Sequence, residues 1–406
     1  MEETKESMAD NSSFTEKRSA GRFVLFSLVA SSFATMVPTV LADLLLIDIG
    51  VTFGSSVGVT GQVLTFSSTA AVIFALLMGA FSVRFKHKSL LMIGLVFFTI
   101  SALGCSFAPS FNLLLIFYAL TGVGLAMVTP MNLALVAEHF PLEKRTSAIA
   151  WLEIGLALSF AIGAPVIGFI AGLGGWRWAF LGFLLPICLA SLLMVSKGLP
   201  YMSHSRKLAM NKKNYLQGFK RFFSNKSATA CVVGTAFLNA GYQVIFLYFS
   251  SFLRERFLVS MDLVSIIFLG ASLSYILGSL VCGWFINRFG RKTITVLATF
   301  LFGIFLACYT NLPNLWLSLT AIFLATLILA MSYVGSLSLT LEQVPRFRGT
   351  VMSISSAATS LGWAIGAAVG GLVLILYDYE FLGITGGILA LVAAIFFLLA
   401  IDPAKT

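Results

Sequence analysis

Charge is what this sequence has least of. Asp, Glu, Lys and Arg together make up 10% of its 406 residues, against about 25% in a typical soluble domain. Hydrophobic residues reach 59% and the mean hydropathy is +0.98, so the chain reads as a membrane protein. Acidic residues are scarcer than basic ones, 16 against 26, and the formal net charge is +10. That excess does not point to nucleic acid, because the cations sit in short loops between apolar runs instead of along one face. Histidine occurs three times, at His87, His139 and His204, all expected in loops, so neither a metal site nor a cofactor is anticipated. The five cysteines, Cys105, Cys188, Cys231, Cys282 and Cys308, stand singly inside apolar runs. Without a CxxC-type pairing they are expected to be small packing residues. The polar start, with Glu2, Glu3, Glu6 and Asp10, is unlike a signal peptide, and residues 1–21 read as a disordered tail.

Long apolar runs are what the chain does have. A membrane-spanning helix needs about 20 mostly apolar residues, and this rule predicts twelve of them. The first six cover roughly 22–46, 57–82, 89–108, 111–138, 144–172 and 176–196. The second six cover roughly 227–253, 261–286, 291–311, 314–341, 347–376 and 380–401. A polar, basic stretch, 197–226, separates the two sets, and 402–406 form a short tail. Several connections are only a few residues long, so sequence neighbours pack antiparallel. Of the 26 Lys and Arg, 23 fall on the side that holds both termini and the central stretch. Arg177, Arg254 and Arg256 are the three on the other side. The positive-inside rule therefore predicts cytoplasmic termini and a cytoplasmic linker in a plasma-membrane protein.

The two sets are copies of one another. Gly79-Ala80-Phe81-Ser82-Val83-Arg84-Phe85-Lys86-His87-Lys88 returns 204 residues on as Gly283-Trp284-Phe285-Ile286-Asn287-Arg288-Phe289-Gly290-Arg291-Lys292. Glu138-His139-Phe140-Pro141 returns at the same shift as Glu342-Gln343-Val344-Pro345. Ile162-Gly163-Ala164 returns as Ile365-Gly366-Ala367. Such a period means a duplicated helix bundle. Six spans return the chain to its starting side, so the copies share one orientation, a known transporter plan.

Twelve helices, a central linker and paired basic turns resemble the major facilitator superfamily, over essentially the whole chain from about residue 22. The second turn is similar to the family's loop signature, G-x-x-x-D-R-x-G-R-R/K: Gly283, Arg288, Gly290, Arg291 and Lys292 fit, and Asn287 holds the acidic position. The first turn keeps Gly79, Arg84 and Lys88, with Val83 in place of the Asp. The resemblance implies an all-α membrane fold of two pseudo-symmetric six-helix bundles, 22–196 and 227–401, with these turns acting as cytoplasmic gating loops. It also implies that helices one, four, seven and ten line a central passage. Gly163-Ala164-Pro165-x-x-Gly168 is loosely similar to the antiporter signature of the family, while Tyr118 stands where drug antiporters often carry an Arg. Small residues and Pro165 are also what close packing and a bent span require.

An ionisable group at mid-membrane costs about 2.5–3.5 kcal/mol on insertion scales, so each one found there needs a reason. Glu153 lies eight residues beyond Arg145, roughly 12 Å into helix five. Burial disfavours the charged carboxylate, which makes Glu153 a candidate for proton coupling; a neutral carboxyl bridging two helices is the other reading. Asp43 and Asp48 lie far enough past Arg22 to be expected at the external rim. Candidate cavity residues are Thr35, Pro38 and Thr39 in helix one, and Thr129 and Asn132 in helix four. Helix seven adds Asn239, Tyr242 and Gln243, and helix ten adds Tyr333 and Ser336. Buried amides are costly unless they face a partner or a cavity, whereas Ser and Thr usually bond their own helix.

The expected function is secondary active transport by alternating access, most simply proton-coupled efflux of hydrophobic drugs or small metabolites. A transporter of a neutral solute such as a sugar is the alternative. A ligand sensor would carry an added soluble domain, and an enzyme would need a nucleophile–base pair or metal ligands at membrane depth. Neither pattern is visible, so no enzymatic activity is expected. The partners implied are a small-molecule substrate, protons and the lipid bilayer, with a single copy sufficing.

Overall fold

A computed structural model gives the protein's structure over residues 2–200, 221–344 and 348–401. Among these residues, twelve helices are long and apolar enough to cross a membrane. The first, α1, runs Glu2–Phe53 with its apolar part at Phe23–Phe53. After the short turn Val57–Thr60 come α2 (Gln62–Arg84), α3 (His87–Ser106) and α4 (Phe111–His139). Helix α5 is Leu142–Ala161 continued as Gly163–Gly174, and α6 is the span Trp176–Gly198. The second bundle holds α7 (the span Lys226–Arg256), α8 (Met261–Phe289), α9 (Arg291–Tyr309), α10 (Leu315–Gln343), α11 (Arg348–Leu376) and α12 (Tyr379–Leu399). No strand occurs among the described residues. The chain is an integral, multi-pass, all-helical membrane protein.

Three sequence expectations need correcting. Residues 2–21 are helical, continuous with α1. They contain no proline and a single glycine, Gly21, so little stops the helix from propagating outward from the span. The same helix also extends at its other end to Phe53 instead of stopping near residue 46. His87 and His139 are likewise not in loops: they are the first residue of α3 and the last of α4. The central stretch falls mostly at 201–220, and the tail at 402–406, both outside the described residues.

The duplication is visible in packing. In the first bundle α1 packs on α5 and α6, α3 on α4 and α6, and α2 on α4. In the second bundle α7 packs on α11 and α12, α9 on α10 and α12, and α8 on α10. The bundles meet along α2 with α11 and α5 with α8, again a pair related by the repeat. The break in α5 at Ile162 precedes Pro165, whose ring cannot coexist with an uninterrupted helix turn before it.

Ion pairs repeat as well. His87 Nδ1 meets Glu138 Oε1 at 2.7 Å, tying the start of α3 to the end of α4. The equivalents 204 residues on, Arg291 and Glu342, approach to 3.8 Å and tie α9 to α10. At Gly290 the turn takes φ +87°, a left-handed conformation that favours glycine.

Helix α11 is held against α7 by bare backbone. A methyl group on Gly366 would meet the Ala240 carbonyl and lie 2.7 Å from Cβ of Gln243; one on Gly362 would lie 2.8 Å from Cβ of Asn239. Gly366→Val should therefore separate α7 from α11 at an overpacking cost of roughly 1–3 kcal/mol. The expected result is a lowered melting temperature in detergent, and an unchanged one would contradict this packing.

Candidate functional site

The interior polar residues divide by whether their hydrogen bonds are already used. In α1, Thr35 is buried and its hydroxyl donates to the Ser31 carbonyl at 2.7 Å. Asn132 of α4 accepts from Ser31 Oγ at 2.8 Å and donates to Ser32 Oγ at 3.0 Å, so both ends of its amide clamp α4 to α1. Tyr118 of α4 donates to the Pro38 carbonyl at 2.5 Å, a second clamp on the same helix. In α7, Asn239 donates to Thr235 O at 2.8 Å, and in α10 Ser336 donates to Tyr333 O at 2.9 Å, both within their own helices. Thr39, Thr129, Tyr242 and Tyr333 are half-buried, while Pro38 is buried. Gln243 is 1% exposed and its Nε2 has no hydrogen-bond partner. A buried donor without a partner is costly, so Gln243 is the amide that remains available to a ligand.

Glu153 sits on α5 opposite the face that packs on α1. Gly155, two residues on and about 200° round the helix, presses its backbone toward the Val29 carbonyl. Glu153 is exposed. Tyr275 of α8 and Tyr333 of α10, both from the second bundle, lie within electrostatic reach of its carboxylate. The carboxyl therefore faces the second bundle.

Asp43 is not at a rim. Extension of α1 to Phe53 leaves it ten residues below that helix end, about 15 Å by helical rise. It is 1% exposed and its Oδ1 has no hydrogen-bond partner. The expectation that Asp43 lies at the external rim is thereby corrected.

The described polar ties between the bundles gather at the end opposite the termini. Arg254 grips Asp48 through two nitrogens, at 2.6 and 3.2 Å, and Ser250 Oγ donates to Leu44 O at 3.1 Å. Ser250 and Arg254 are one turn apart on α7, as are Leu44 and Asp48 on α1, so the two contacts form consecutive rungs. Beside them the backbones of Gly58 and Gly371 touch, and Gly168 of α5 packs on Ser265 of α8. A cleft of about 440 Å³ opens above this seal, with Val51 and Ser56 on one wall and Glu255, Tyr377 and Tyr379 on the other. No local pattern announces the Asp48–Arg254 pair. Arg254 stands out in the sequence only as one of three cations on the sparsely charged side.

At the basic end, Lys88 Nζ donates to the carbonyls of Ser196 (2.7 Å) and Leu199 (2.5 Å). It thus caps α6, where a cation is favoured by the helix dipole. In the second turn Gly283 has open space beside it, Asn287 and Arg288 are exposed, and Arg288 lies over the Trp284 ring at 5.4 Å. Arg291 pairs with Glu342 as above, and Lys292 is half-buried. Gly79 and Arg84 belong to the last turns of α2.

The Asp48–Arg254 pair is partly exposed, so breaking it should cost about 1 kcal/mol. Arg254→Gln should therefore shift the balance about fivefold toward opening at this end, read as faster labelling of a cysteine placed at Leu44. Exchanging the partners, Asp48→Arg with Arg254→Asp, should restore the native rate. Equal labelling in all three proteins would show that the pair holds nothing closed.

Comparison with known proteins gives the same architecture. A family model described as Major Facilitator Superfamily matches residues 23–257 and 231–406. An uncharacterised MFS-type transporter of Bacillus subtilis (strain 168), YceJ, is 24% identical over 79% of this chain and 81% of its own. Multidrug resistance protein 2 of the same organism is 25% identical over 73% of this chain and 74% of its own. Among solved structures, a D-xylose–proton symporter superposes with a TM-score of 0.79 at 17% identity, covering 94% of this chain and 98% of that one.

Proposed function

The chain belongs to the Major Facilitator Superfamily, and on that premise we propose that it exports hydrophobic drugs or small metabolites in exchange for protons. Family and fold are those of membrane transporters, not of enzymes. The export reading draws on the likeness to a multidrug resistance protein. The proton reading draws on one observation: Glu153 faces the second bundle, toward Tyr275 and Tyr333. The protein would sit in the cell membrane with both termini in the cytoplasm, the orientation favoured by its Lys and Arg distribution, and a single copy would suffice. The seal through Asp48 and Arg254 is then the external one, and the passage between the bundles on the Glu153 side of it opens inward.

In this scheme two conformations exchange about the bundle interface. With the external seal made, Glu153 exchanges its proton with the cytoplasm and the substrate enters the passage. Rupture of the Asp48 and Ser250 contacts, with closure of the basic turns around Arg84 and Arg288, exposes the same passage outside. Tight contacts at one end at a time are what make the two states discrete.

A second reading, transport of a neutral solute such as a sugar, is favoured by Gln243, whose unpartnered amide suits a hydroxyl. Dye movement in inside-out vesicles under an imposed pH gradient separates the two. The native protein should move hydrophobic dyes and dissipate the gradient, and Glu153→Gln should do neither. Equal transport and equal proton movement by both proteins would make Glu153 structural. Absence of dye transport in the native protein would turn the choice to neutral solutes.

A further inference from the structure

We propose that a furrow between α1 and α6, on the outside of the first bundle, holds an acyl chain of an anionic phospholipid whose phosphate rests on Lys197. The furrow has a volume of about 300 Å³ and runs between Phe26 and Phe33 of α1 and Ile187 and Met194 of α6. Small residues make it. Ala30 lies between the two phenylalanines, and Ala190 and Ser191 lie between Ile187 and Met194. Two hydrogen bonds fix its depth: Ser191 Oγ donates to Ala30 O at 2.9 Å, and Ser27 Oγ donates to Met194 O at 3.0 Å. Both hydroxyls are thereby satisfied, and the surface left open is almost wholly apolar. Phe33 sets its ring edge-on to Phe183 at 6.4 Å and closes the inner end.

Position and charge select the occupant. Helix α6 packs on α1 and α3 of its own bundle, and its exposed stripe through Leu189, Ala190 and Leu193 ends on the exposed Lys197. Leu193 and Lys197 are one turn apart, so a chain lying along the furrow reaches the ammonium at the end of α6 nearest the termini. Lys197 forms no ion pair among the described residues. Lys88 Nζ, held on Ser196 O and Leu199 O, adds a second fixed cation at the same helix end. Lipid chains cover any apolar helix face, but cations at headgroup level add a preference for anionic lipid. Phosphatidylcholine brings a cation of its own and gains less from them. The repeat supplies a contrast. Phe237, the counterpart of Phe33, stacks on Phe396 of α12 with centroids 5.8 Å apart, and the counterpart of Lys197 is Ile401. The seam between α7 and α12 therefore has stacked rings at the height of the furrow and an aliphatic residue at the place of the lysine.

The site does not depend on the transport reading. Native mass spectrometry of the purified full-length protein tests it, by titration with palmitoyl-oleoyl phosphatidylglycerol or with phosphatidylcholine of the same chains. The native protein should bind the first phosphatidylglycerol at least about fivefold more tightly than phosphatidylcholine, the effect of one cation near a headgroup. Lys197→Gln should lose about that factor for phosphatidylglycerol alone, and Lys197→Arg should stay near native. Ala190→Phe, which fills the furrow, should weaken both lipids while its melting profile shows that it folds. Glycerol phosphate, the headgroup without its chains, should not compete. Equal binding of the two lipids by the native protein overturns the proposal. So does native-like binding of phosphatidylglycerol by either Lys197→Gln or Ala190→Phe. Displacement by glycerol phosphate would reduce the site to a free-phosphate contact, and a dimer that Ala190→Phe dissolves would assign the furrow to a second copy; either result also overturns it.

Discussion

Every polar group in this chain answers to one constraint: the bilayer core offers no water to satisfy it. Helices meet that demand for the backbone, and the side chains then follow. Ser31, Ser32 and Thr35 settle onto Asn132 and their own helix. Lys88 finds two carbonyls at the end of α6. Among the described residues eight buried side chains keep a polar atom without a partner, Asp43 and Gln243 among them, while Glu153 faces the second bundle. In a medium that penalises unpaired polarity, Asp43, Gln243 and Glu153 are the candidates for meeting a substrate or a proton.

The same constraint explains why the bundles touch as they do. Within each bundle the contacts are close and repeat with the duplication, down to the equivalence of His87–Glu138 with Arg291–Glu342. Between bundles the described polar contacts are few and cluster at one end, on Leu44, Asp48, Ser250 and Arg254. Bundles that meet along α2–α11 and α5–α8 with few polar ties can rock more readily than bundles laced together by hydrogen bonds along their whole length. Packed interfaces change between discrete arrangements instead of deforming smoothly, which is the physical content of alternating access.

Much of this architecture was legible without coordinates, because the rule for spans depends only on length and polarity. The twelve spans, the repeat at 204 residues and the family resemblance all came from such patterns. The misses have physical causes. Helix ends at a membrane surface are set by neighbours, so α1 could not be seen to reach Phe53, and Asp43 was placed near water when it lies at depth. The helical tail 2–21 escaped because its polar composition resembles disorder, although the adjoining span supplies the nucleus that a helix otherwise lacks. Asn132 read as a cavity residue because sequence shows an amide but not Ser31 and Ser32 beside it. The Asp48–Arg254 pair joins residues 206 apart, and no local pattern announces such a contact.

The central claim is that the two bundles rock as units about a seal that alternates between ends. Distances between spin labels in lipid test it most directly, with one pair at Val51 and Tyr377 and a second at the repeat-related Phe85 and Phe289. The account predicts two populations, one short at the first pair and long at the second, the other reversed, exchanging weight when substrate or pH changes. Distances that stay single and fixed, or that lengthen at both ends together, would contradict it.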